Sequence, residues 1–300
     1  MGFWSINPYV GCEYGCSYCY ARFAHRYVME RAHAVGQLYP PDSNEEAFER
    51  RIFVKRRQTV LASLQRDVVR IGSKTPHQRP CPIVISTATD PYQPAERRFK
   101  ITRAILEWLL DTQGFAIGII TKSPLVCRDI DLFATLGRNH RVTIYISLIS
   151  TNVRVIKLFE ARSSMPHARL RALRKLRDAG ITVGINAAPV LPGITDSLLQ
   201  IDTLVAAAKD AGALFVHPSV IRLYPEVRNR FLPLVDEHFS DLTVRYRTAY
   251  SGNLDAPLGY VDAVERRFRR ITRKYGLSAD DPLSVRQERR LEREAQLSLL

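Results

Sequence analysis

The chain has 300 residues, of which 46% are hydrophobic and 25% are charged. This length and composition suit one large domain, or one domain with an appendage, whose core needs no disulfide bonds. No segment approaches the roughly 18 apolar residues of a membrane span, and the N-terminus lacks the basic and apolar regions of a secretory signal. We therefore expect a cytoplasmic protein, and the short stretch before the first cysteine leads us to expect no preceding domain.

The chain is basic, with 44 lysines and arginines against 30 aspartates and glutamates and a net charge of +14. A surplus of this size favours anionic partners such as DNA or RNA. An arginine-rich, solvated surface explains the same surplus without any partner, so charge alone does not decide between the two. The candidate phosphate contacts are Arg50, Arg51, Lys55, Arg56, Arg57 and the cluster at 266–274.

Apolar, β-branched segments alternate with amphipathic segments from about residue 80 onward. Runs that are nearly all apolar are typical of parallel strands that are covered on both faces. The pattern predicts a parallel sheet with right-handed crossovers, in a partial barrel or a doubly wound sheet, with ligands at the carboxyl ends of the strands. The predicted strands are FWSINPYV, 82–88, 115–121, 141–147, 181–188 and 214–223.

Helix candidates lie between these strands. Ser123 is expected to cap one helix, Gly180 to end another, and the pair Thr195 and Asp196 to cap a third.

The pattern changes after residue 238. The segments GYVDAVERRFRRITRKYG and SVRQERRLEREAQLSLL predict two further helices, the first of them basic and amphipathic. We therefore predict a main domain over 1–238 and a basic helical extension over 239–300.

Three of the five cysteines lie within eight positions, at Cys12, Cys16 and Cys19. In a reducing compartment such clustering indicates metal binding or catalysis rather than a disulfide framework. Gly11 and Gly15 permit a positive φ where a short loop wraps around a compact ligand.

Two kinds of metal centre fit this cluster. Structural zinc takes four ligands, and only His25 lies near enough to complete a Cys3His site. A [4Fe–4S] cluster is normally held by four thiolates, so three thiolates leave one iron open to a substrate. Cys81 and Cys127 are further candidates for the fourth ligand, but Cys81 precedes a strand and belongs to the opposite end of the sheet.

The spacing Cys12-x3-Cys16-x2-Cys19, with Tyr18 before the last cysteine, resembles the signature of radical S-adenosylmethionine (SAM) enzymes. The segments NPYVGCEYGCSYCYAR, TDPYQPAE, TKSPLVCRD and EARSSMPHARLRAL resemble, in this order, the spore photoproduct lyase-like subgroup. The resemblance spans about residues 5–225. It implies an α/β fold, a partial (β/α)6 barrel of the radical SAM type with a small helical C-terminal appendage.

The resemblance also implies the cofactors. A [4Fe–4S] cluster would be held by the three cysteines, and its open iron would bind the methionine group of SAM. One electron, from a donor such as flavodoxin or ferredoxin, would cleave SAM to methionine and a 5′-deoxyadenosyl radical that abstracts hydrogen from a substrate. The role of the protein is to orient the reactants and to exclude water.

Three predicted cofactor contacts follow strands. The resemblance places Asp90 near the amino group of SAM, although Asp-Pro also starts Asx turns. It implies that Lys122 pairs with the carboxylate of SAM, the alternative being a surface lysine at a helix start. Ser147 resembles a serine that contacts the ribose, and a helix cap is its alternative.

Two further contacts are implied by the resemblance. Arg162 would bind the carboxylate or the ribose, or it forms a surface ion pair with Glu160 instead. The run Pro189, Val190 and Leu191 resembles an apolar stretch that packs on adenine, and an ordinary place in the core is the alternative.

Tyr18 and Tyr20 flank Cys19, and tyrosines in this pattern are implicated in hydrogen-atom transfer in the lyase. Both are therefore catalytic candidates, with packing beside the cluster as the alternative. The lyase also uses a cysteine near the end of its second strand, where this chain has STATD. Cys127 lies on the correct side of the sheet but among apolar residues, and we expect it to be structural.

These observations predict a radical SAM enzyme whose preferred substrate is a nucleic-acid base lesion. A peptide or a small metabolite is the alternative substrate for the same chemistry. A non-enzymatic, zinc-stabilised nucleic-acid-binding protein is the alternative from another class.

Overall fold

The structure is a computed structural model that describes residues 3–25, 48–72 and 82–283. It contains a six-stranded parallel sheet and a short antiparallel pair, whose first strand lies just before the first cysteine and whose second strand follows the cysteine loop. The strands are β1 (Trp4–Ile6), β2 (Tyr9–Val10), β3 (Phe53–Val54), β4 (Ile83–Ile85), β5 (Ala116–Thr121), β6 (Arg141–Ser147), β7 (Thr182–Val190) and β8 (Val216–Val220).

The large sheet has the order β1-β4-β5-β6-β7-β8, and each neighbouring pair is parallel. Among the described strands, β1 and β8 have a neighbour on one side only, so the barrel is open between them. All three residues of β4 are buried, and in β6 every residue after Arg141 is buried. The predicted α/β fold and partial barrel are therefore confirmed.

The helices alternate with the strands, as the sequence predicts. They are α1 (Arg57–Gly72), α2 (Pro94–Phe99), α3 (Ile101–Leu109), α4 (Ile130–Leu136), α5 (Val153–Phe159), α6 (Pro166–Asp178), α7 (Leu198–Asp210), α8 (Pro225–His238), α9 (Thr243–Ala249) and α10 (Leu258–Lys274).

The first predicted strand, FWSINPYV, is two strands separated by Asn7 and Pro8. The first part joins the large sheet and the second pairs with β3. The side chain of Asn7 explains the break, because its Oδ1 accepts the backbone N–H groups of Thr87 and Ala88. Asn7 therefore ties the end of β1 to the loop that follows β4.

Two predicted helix ends are confirmed and one is wrong. Ser123 accepts the N–H of Leu125, although the segment begins as the 3-10 turn Pro124–Asp129, and Gly180 follows α6 with a φ of +79°. The third helix, α7, begins at Ser197 rather than at the pair predicted from the sequence. Ser197 forms a capping box with Gln200, which satisfies two helix-end donors at once.

The region after residue 238 packs against the barrel. The helix α10 is the predicted basic amphipathic helix: it buries Val264, Phe268 and Ile271, and most of its arginines are exposed. The second predicted helix, over 284–300, lies outside the described residues, as does Cys81. The division at residue 238 remains a prediction.

The segment 277–283 returns to the barrel. Its Ser278 pairs with Phe215 at the start of β8, and Asp281 accepts a hydrogen bond from Tyr145. Leu283 then packs against Tyr145 and Phe215 in a small apolar cluster. A Cβ atom on Gly118 would lie 2.2 Å from Cδ1 of Leu283, so any other residue there would require the Leu283 side chain to move. No described helix combines the length and the apolar composition that a membrane span requires.

Candidate active site

A cavity of about 410 Å³ lies at the carboxyl ends of the sheet strands. It extends from Phe3 beside one edge strand to Val220 of the other, and so reaches the opening between β1 and β8. The predicted site residues among its lining are Cys12, Cys16, Tyr18, Cys19, Tyr20, Asp90, Lys122 and Ser147. Ligand binding at the carboxyl ends of strands is the behaviour expected of this sheet type.

The cysteine loop depends on its glycines. Gly11 has a φ of +86°, and a Cβ atom there would lie 2.7 Å from the backbone oxygen of Phe48. Gly15 has a φ of +57°, also in the left-handed region that favours glycine. The N–H of Cys12 donates to the same Phe48 oxygen at 2.9 Å, so the backbone of Phe48 anchors the cysteine loop.

The loop that follows β4 holds the cysteine loop from the other side. Thr89 donates its hydroxyl to the oxygen of Gly11 at 2.6 Å, and Gln93 accepts the N–H of Glu13 at 2.9 Å. The carboxylate of Glu13 in turn accepts the N–H of Ala95 at the start of α2, at 2.6 Å. These reciprocal contacts fix the position of the cysteines relative to the strand ends.

Burial raises the pKa of all three thiols, and that of Cys16 rises to about 12. The positive charge of Lys122 acts in the opposite direction on Cys16 and Cys19, because it favours their thiolate forms. Thiolates are the form that binds metal, so a bound metal would release protons from this loop.

The donor set fits an iron–sulfur cluster, because thiolates are the usual ligands of its irons. Within residues 3–25, 48–72 and 82–283, no three His, Cys, Asp or Glu side chains converge on one point where a metal ion would bind. The three thiols of the cysteine loop line one cavity, so all three would be available to hold a cluster there. His25 is buried against Phe48 and does not line that cavity.

Lys122 and Glu160 form the charged side of the site. Burial acts to lower the pKa of Lys122, but the neighbouring Cys16 and Glu160 outweigh it and hold the pKa above its usual range. Burial acts to raise the pKa of Glu160, but Arg169 and Lys122 outweigh it and hold that carboxyl ionised. Lys122 also lies over the ring of Tyr18, with Nζ 5.7 Å from the ring centre.

Asp90 lines the cavity but its carboxylate is already engaged. Its oxygens accept the N–H of Tyr92 at 2.9 Å, the hydroxyl of Thr121 at 2.7 Å and the N–H of Lys122 at 2.8 Å. The first contact is the Asx turn that was the alternative for this residue. Burial nevertheless raises the pKa of Asp90. A contact between Asp90 and SAM remains a proposal.

Of the other predicted cofactor contacts, one lines the cavity and two do not. Ser147 is buried at the end of β6 and lines the cavity, whereas Val190 is buried in the core and does not line it. Pro189, next to Val190, does line the cavity. Arg162 is exposed and lies outside the lining, and Glu160 pairs with Arg169 rather than with this surface arginine.

The two tyrosines have different surroundings. Tyr18 is buried and donates its hydroxyl to Glu160, so that group is occupied within the protein. Tyr20 is half exposed, lines the cavity and donates to the backbone oxygen of Thr87. Cys127 lies outside the cavity, where its thiol approaches the backbone oxygen of Ala172 at 3.5 Å, as a structural cysteine would.

Sequence reasoning missed several cavity residues. Asn186 lines the cavity and lies within β7 opposite Ser147. Its position inside a predicted strand gave no sign of a role in the site. Arg222 and Tyr224 follow β8, which ends at Val220. The predicted strand 214–223 included Arg222, so only Tyr224 had the signal of a position after a predicted strand. Arg222 lies over the ring of Tyr224, which stacks on Phe23 with ring centres 4.5 Å apart.

An open parallel barrel with three cysteines directed into a cavity at its strand ends defines a class of cofactor-dependent α/β enzymes. The family model of the radical SAM superfamily matches residues 6–205, and the chain belongs to this superfamily. It is therefore an enzyme of the radical SAM class, a class that uses SAM and an iron–sulfur cluster. This membership contradicts the alternative hypothesis of a non-enzymatic, zinc-stabilised nucleic-acid-binding protein.

Two sequence relatives extend over most of the described domain. The chain is 29% identical over 277 residues to the uncharacterised protein Rv2578c of Mycobacterium tuberculosis, covering 92% of this chain and 76% of that protein. It is 30% identical over 191 residues to the uncharacterised protein MJ0683 of Methanocaldococcus jannaschii, covering 64% of this chain and 61% of that protein.

The fold is similar to that of spore photoproduct lyase. A mutant of that lyase with dinucleoside spore photoproduct matches with a TM-score of 0.61 at 16% identity, covering 90% of this chain and 73% of the lyase chain. A second mutant of the lyase matches with a TM-score of 0.63, covering 90% and 74%. At such identity the similarity concerns the fold.

Proposed function

We propose that the protein cleaves SAM reductively at a [4Fe–4S] cluster and abstracts hydrogen from a damaged nucleic-acid base. The observation on which this rests is the joint placement of three cysteine thiols and Lys122 around one cavity whose rim is aromatic and basic. When bound, the cluster and SAM supply the organic radical, which no side chain provides. The residues of the chain bind, orient and shield.

Cys12, Cys16 and Cys19 would hold the cluster, and the absence of a fourth cysteine from the loop leaves one iron for SAM. Lys122 stays protonated beside the thiols, so its ammonium group suits the carboxylate of SAM. Ser147 lines the same cavity and would reach the ribose. Tyr18 keeps its hydroxyl on Glu160 and would support the loop, while Tyr20 is the tyrosine that faces a substrate.

The rim favours a flat, electron-rich substrate. Phe3 and Tyr20 are both about half exposed there, with relative accessibilities of 53% and 50%. The stacked pair of Phe23 and Tyr224, with Arg222 above Tyr224, presents aromatic and guanidinium surfaces of the kind on which bases stack. An enzyme that acts on a base must first extrude it, and a cavity with such a rim suits that step.

The substrate class has further support. A spore photoproduct lyase structure with AdoMet and dinucleoside spore photoproduct has the same fold, with a TM-score of 0.59. The exposed arginines of α10 and the net charge of +14 would attract a phosphate backbone. A donor such as flavodoxin or ferredoxin would supply the electron, because the reaction consumes one for each SAM cleaved.

The cofactor proposal is tested by anaerobic reconstitution with iron and sulfide. We expect about four irons per chain and release of 5′-deoxyadenosine from SAM with dithionite. The triple variant Cys12→Ala, Cys16→Ala and Cys19→Ala should lose both, whereas Cys127→Ala should keep both. Retained SAM cleavage in the triple variant, or one zinc per chain in the native protein, would overturn the proposal.

The substrate proposal is tested by isotope transfer. The loaded enzyme is incubated with SAM, dithionite and UV-irradiated, deuterated oligodeoxythymidylate, and deuterium is followed into 5′-deoxyadenosine or SAM. Unirradiated oligonucleotide is the control for lesion specificity. Deuterium transfer from a labelled peptide digest or metabolite extract, but not from irradiated DNA, would assign the alternative substrate class.

A further inference from the structure

The segment 48–57 carries four exposed arginines, which together we call the arginine strip: Arg50, Arg51, Arg56 and Arg57. The acidic residue of this segment is Glu49. Its carboxylate is already paired with two arginines from outside the strip, the buried Arg22 at 2.7 Å and Arg230 at 3.1 Å. Within the strip, Arg57 forms an exposed ion pair with Glu107 at 3.3 Å. The strip therefore presents positive charge that its own segment does not neutralise.

The segment 48–57 lies directly against the cysteine loop. Its strand β3 pairs with β2, the strand that leads into the loop. The backbone oxygen of Phe48 accepts the N–H of Cys12 at 2.9 Å. A Cβ atom on Gly11 would lie 3.0 Å from the backbone oxygen of Arg51, a member of the strip. The backbone that carries the arginine strip is thus in contact with the loop that carries the three thiols.

The cysteine loop has two faces. Its thiols line the cavity, together with Phe3 and Tyr20 of the rim. None of residues 48–57 lines the cavity, so this segment covers the other face of the loop. SAM and the substrate would fill the cavity during the reaction. An electron can reach the cysteines through the segment 48–57 while the cavity is filled, because this route does not cross the cavity.

We propose that the arginine strip is the docking surface for the electron donor, an acidic one-electron carrier protein with a flavin or an iron–sulfur centre. This proposal rests on the proposed function, because reductive cleavage of SAM consumes an electron. One electron leaves the reduced carrier for each SAM that is cleaved to methionine and a 5′-deoxyadenosyl radical. Electron-transfer partners form small, short-lived interfaces, and complementary charges speed their encounter. Nucleic acid is the less suitable occupant, because the strip lies on the opposite face of the loop from the cavity that must receive a base.

The experiment compares two kinds of reductant on the reconstituted enzyme. The strip variant carries Arg50→Glu and Arg56→Glu, two exposed residues outside the cavity lining. With reduced flavodoxin or reduced ferredoxin at low salt, we expect its 5′-deoxyadenosine release to fall about tenfold or more. With dithionite the rate should stay native, because a small reductant needs no docking surface. The control variant, with Arg138→Glu and Arg171→Glu, makes the same charge change at exposed positions outside the strip and should keep both rates.

Three results would overturn the docking surface: native rates of the strip variant with both carrier proteins, an equal loss in the control variant, or a loss with dithionite as well. If the strip variant binds UV-irradiated oligodeoxythymidylate about tenfold more weakly but keeps its carrier-driven rates, the strip belongs to the nucleic acid instead. Raising the salt to about 0.5 M should lower the native carrier-driven rate toward that of the strip variant. A native enzyme that cleaves no SAM even with dithionite would refute the proposed function itself, and the need for a donor with it.

Discussion

Glu160 accepts a hydrogen bond from Tyr18, a residue 142 positions earlier in the chain. The same carboxylate forms an ion pair with Arg169, and the side chains of Glu160 and Arg169 are both fully buried. Arg169 also donates to the backbone oxygen of Ser147 at 2.8 Å. One buried ion pair thus connects the cysteine loop, the end of β6 and the start of α6.

Removing the charge of Glu160 should therefore destabilise the protein strongly. The variant Glu160→Gln keeps the shape of the side chain but leaves Arg169 as a buried, unpaired cation, which costs about 3–5 kcal/mol of unfolding free energy. Anaerobic urea denaturation measures this loss. The control is Asp202→Asn, which breaks the exposed pair with Lys274 and should leave the unfolding midpoint nearly unchanged. A Glu160→Gln midpoint close to native would contradict the role of the pair.

Lys122 should determine affinity for SAM. Replacing it by methionine in Lys122→Met removes the cation while keeping most of the apolar stem, and we expect Kd for SAM to rise about 10- to 100-fold, the worth of a charge-assisted hydrogen bond. Equilibrium dialysis against labelled SAM provides the measurement. Lys157→Met, on the exposed face of α5, is the matched control. If both variants bind SAM equally well, Lys122 does not contact the cofactor.

Gly11 should be essential for iron loading. In Gly11→Ala the new Cβ meets the backbone oxygen of Phe48 at 2.7 Å, and backbone cannot move aside as a side chain can. We expect the loop to shift and the iron content per chain to fall well below that of the native protein. Gly114→Ala shares the positive φ, at +78°, but its Cβ would meet nothing within 4 Å. Iron content in Gly11→Ala as high as in Gly114→Ala and the native protein would contradict the role of this contact.

His140 should make stability depend on pH. Its Nδ1 accepts the N–H of Phe115 at 3.2 Å, Nε2 lies 3.1 Å from the oxygen of Leu109, and burial lowers the pKa of the ring. Because the unfolded state then binds the proton more readily, stability is full above about pH 6.5, the ordinary histidine value, and falls as the pH drops below it. His140→Asn should lose less stability than the native protein between pH 7.5 and 5.5 in urea denaturation. Parallel pH profiles would contradict this assignment.

The strands were predictable because burial on both faces requires nearly continuous apolar sequence. The runs around β5 and β6 identify these strands to within a residue, and the position of Asp90 and Lys122 after strands brings both to one cavity. The break in the first predicted strand was not predictable, because it depends on hydrogen bonds that Asn7 accepts from a loop 80 and 81 residues away.

The ion pair of Glu160 was likewise not predictable from the local sequence. Arg162 and Arg169 both lie in the EARSSMPHAR segment, and sequence distance favours the one nearer Glu160. The start of α6 at Pro166 carries Arg169 inward and leaves Arg162 outside. Which arginine is buried follows from the orientation of a helix in three dimensions, and this orientation is set by packing rather than by local sequence.

The contact between Leu283 and Gly118 closes one side of the barrel from a distant part of the chain. Ile120 both lines the cavity and packs against the cluster that contains Leu283, so this cluster lies beneath the cavity. The six strands end at Val220, but the cluster is complete only with Leu283. A chain truncated before Leu283 would therefore keep the six strands of the sheet and leave Ile120 uncovered on the side away from the cavity.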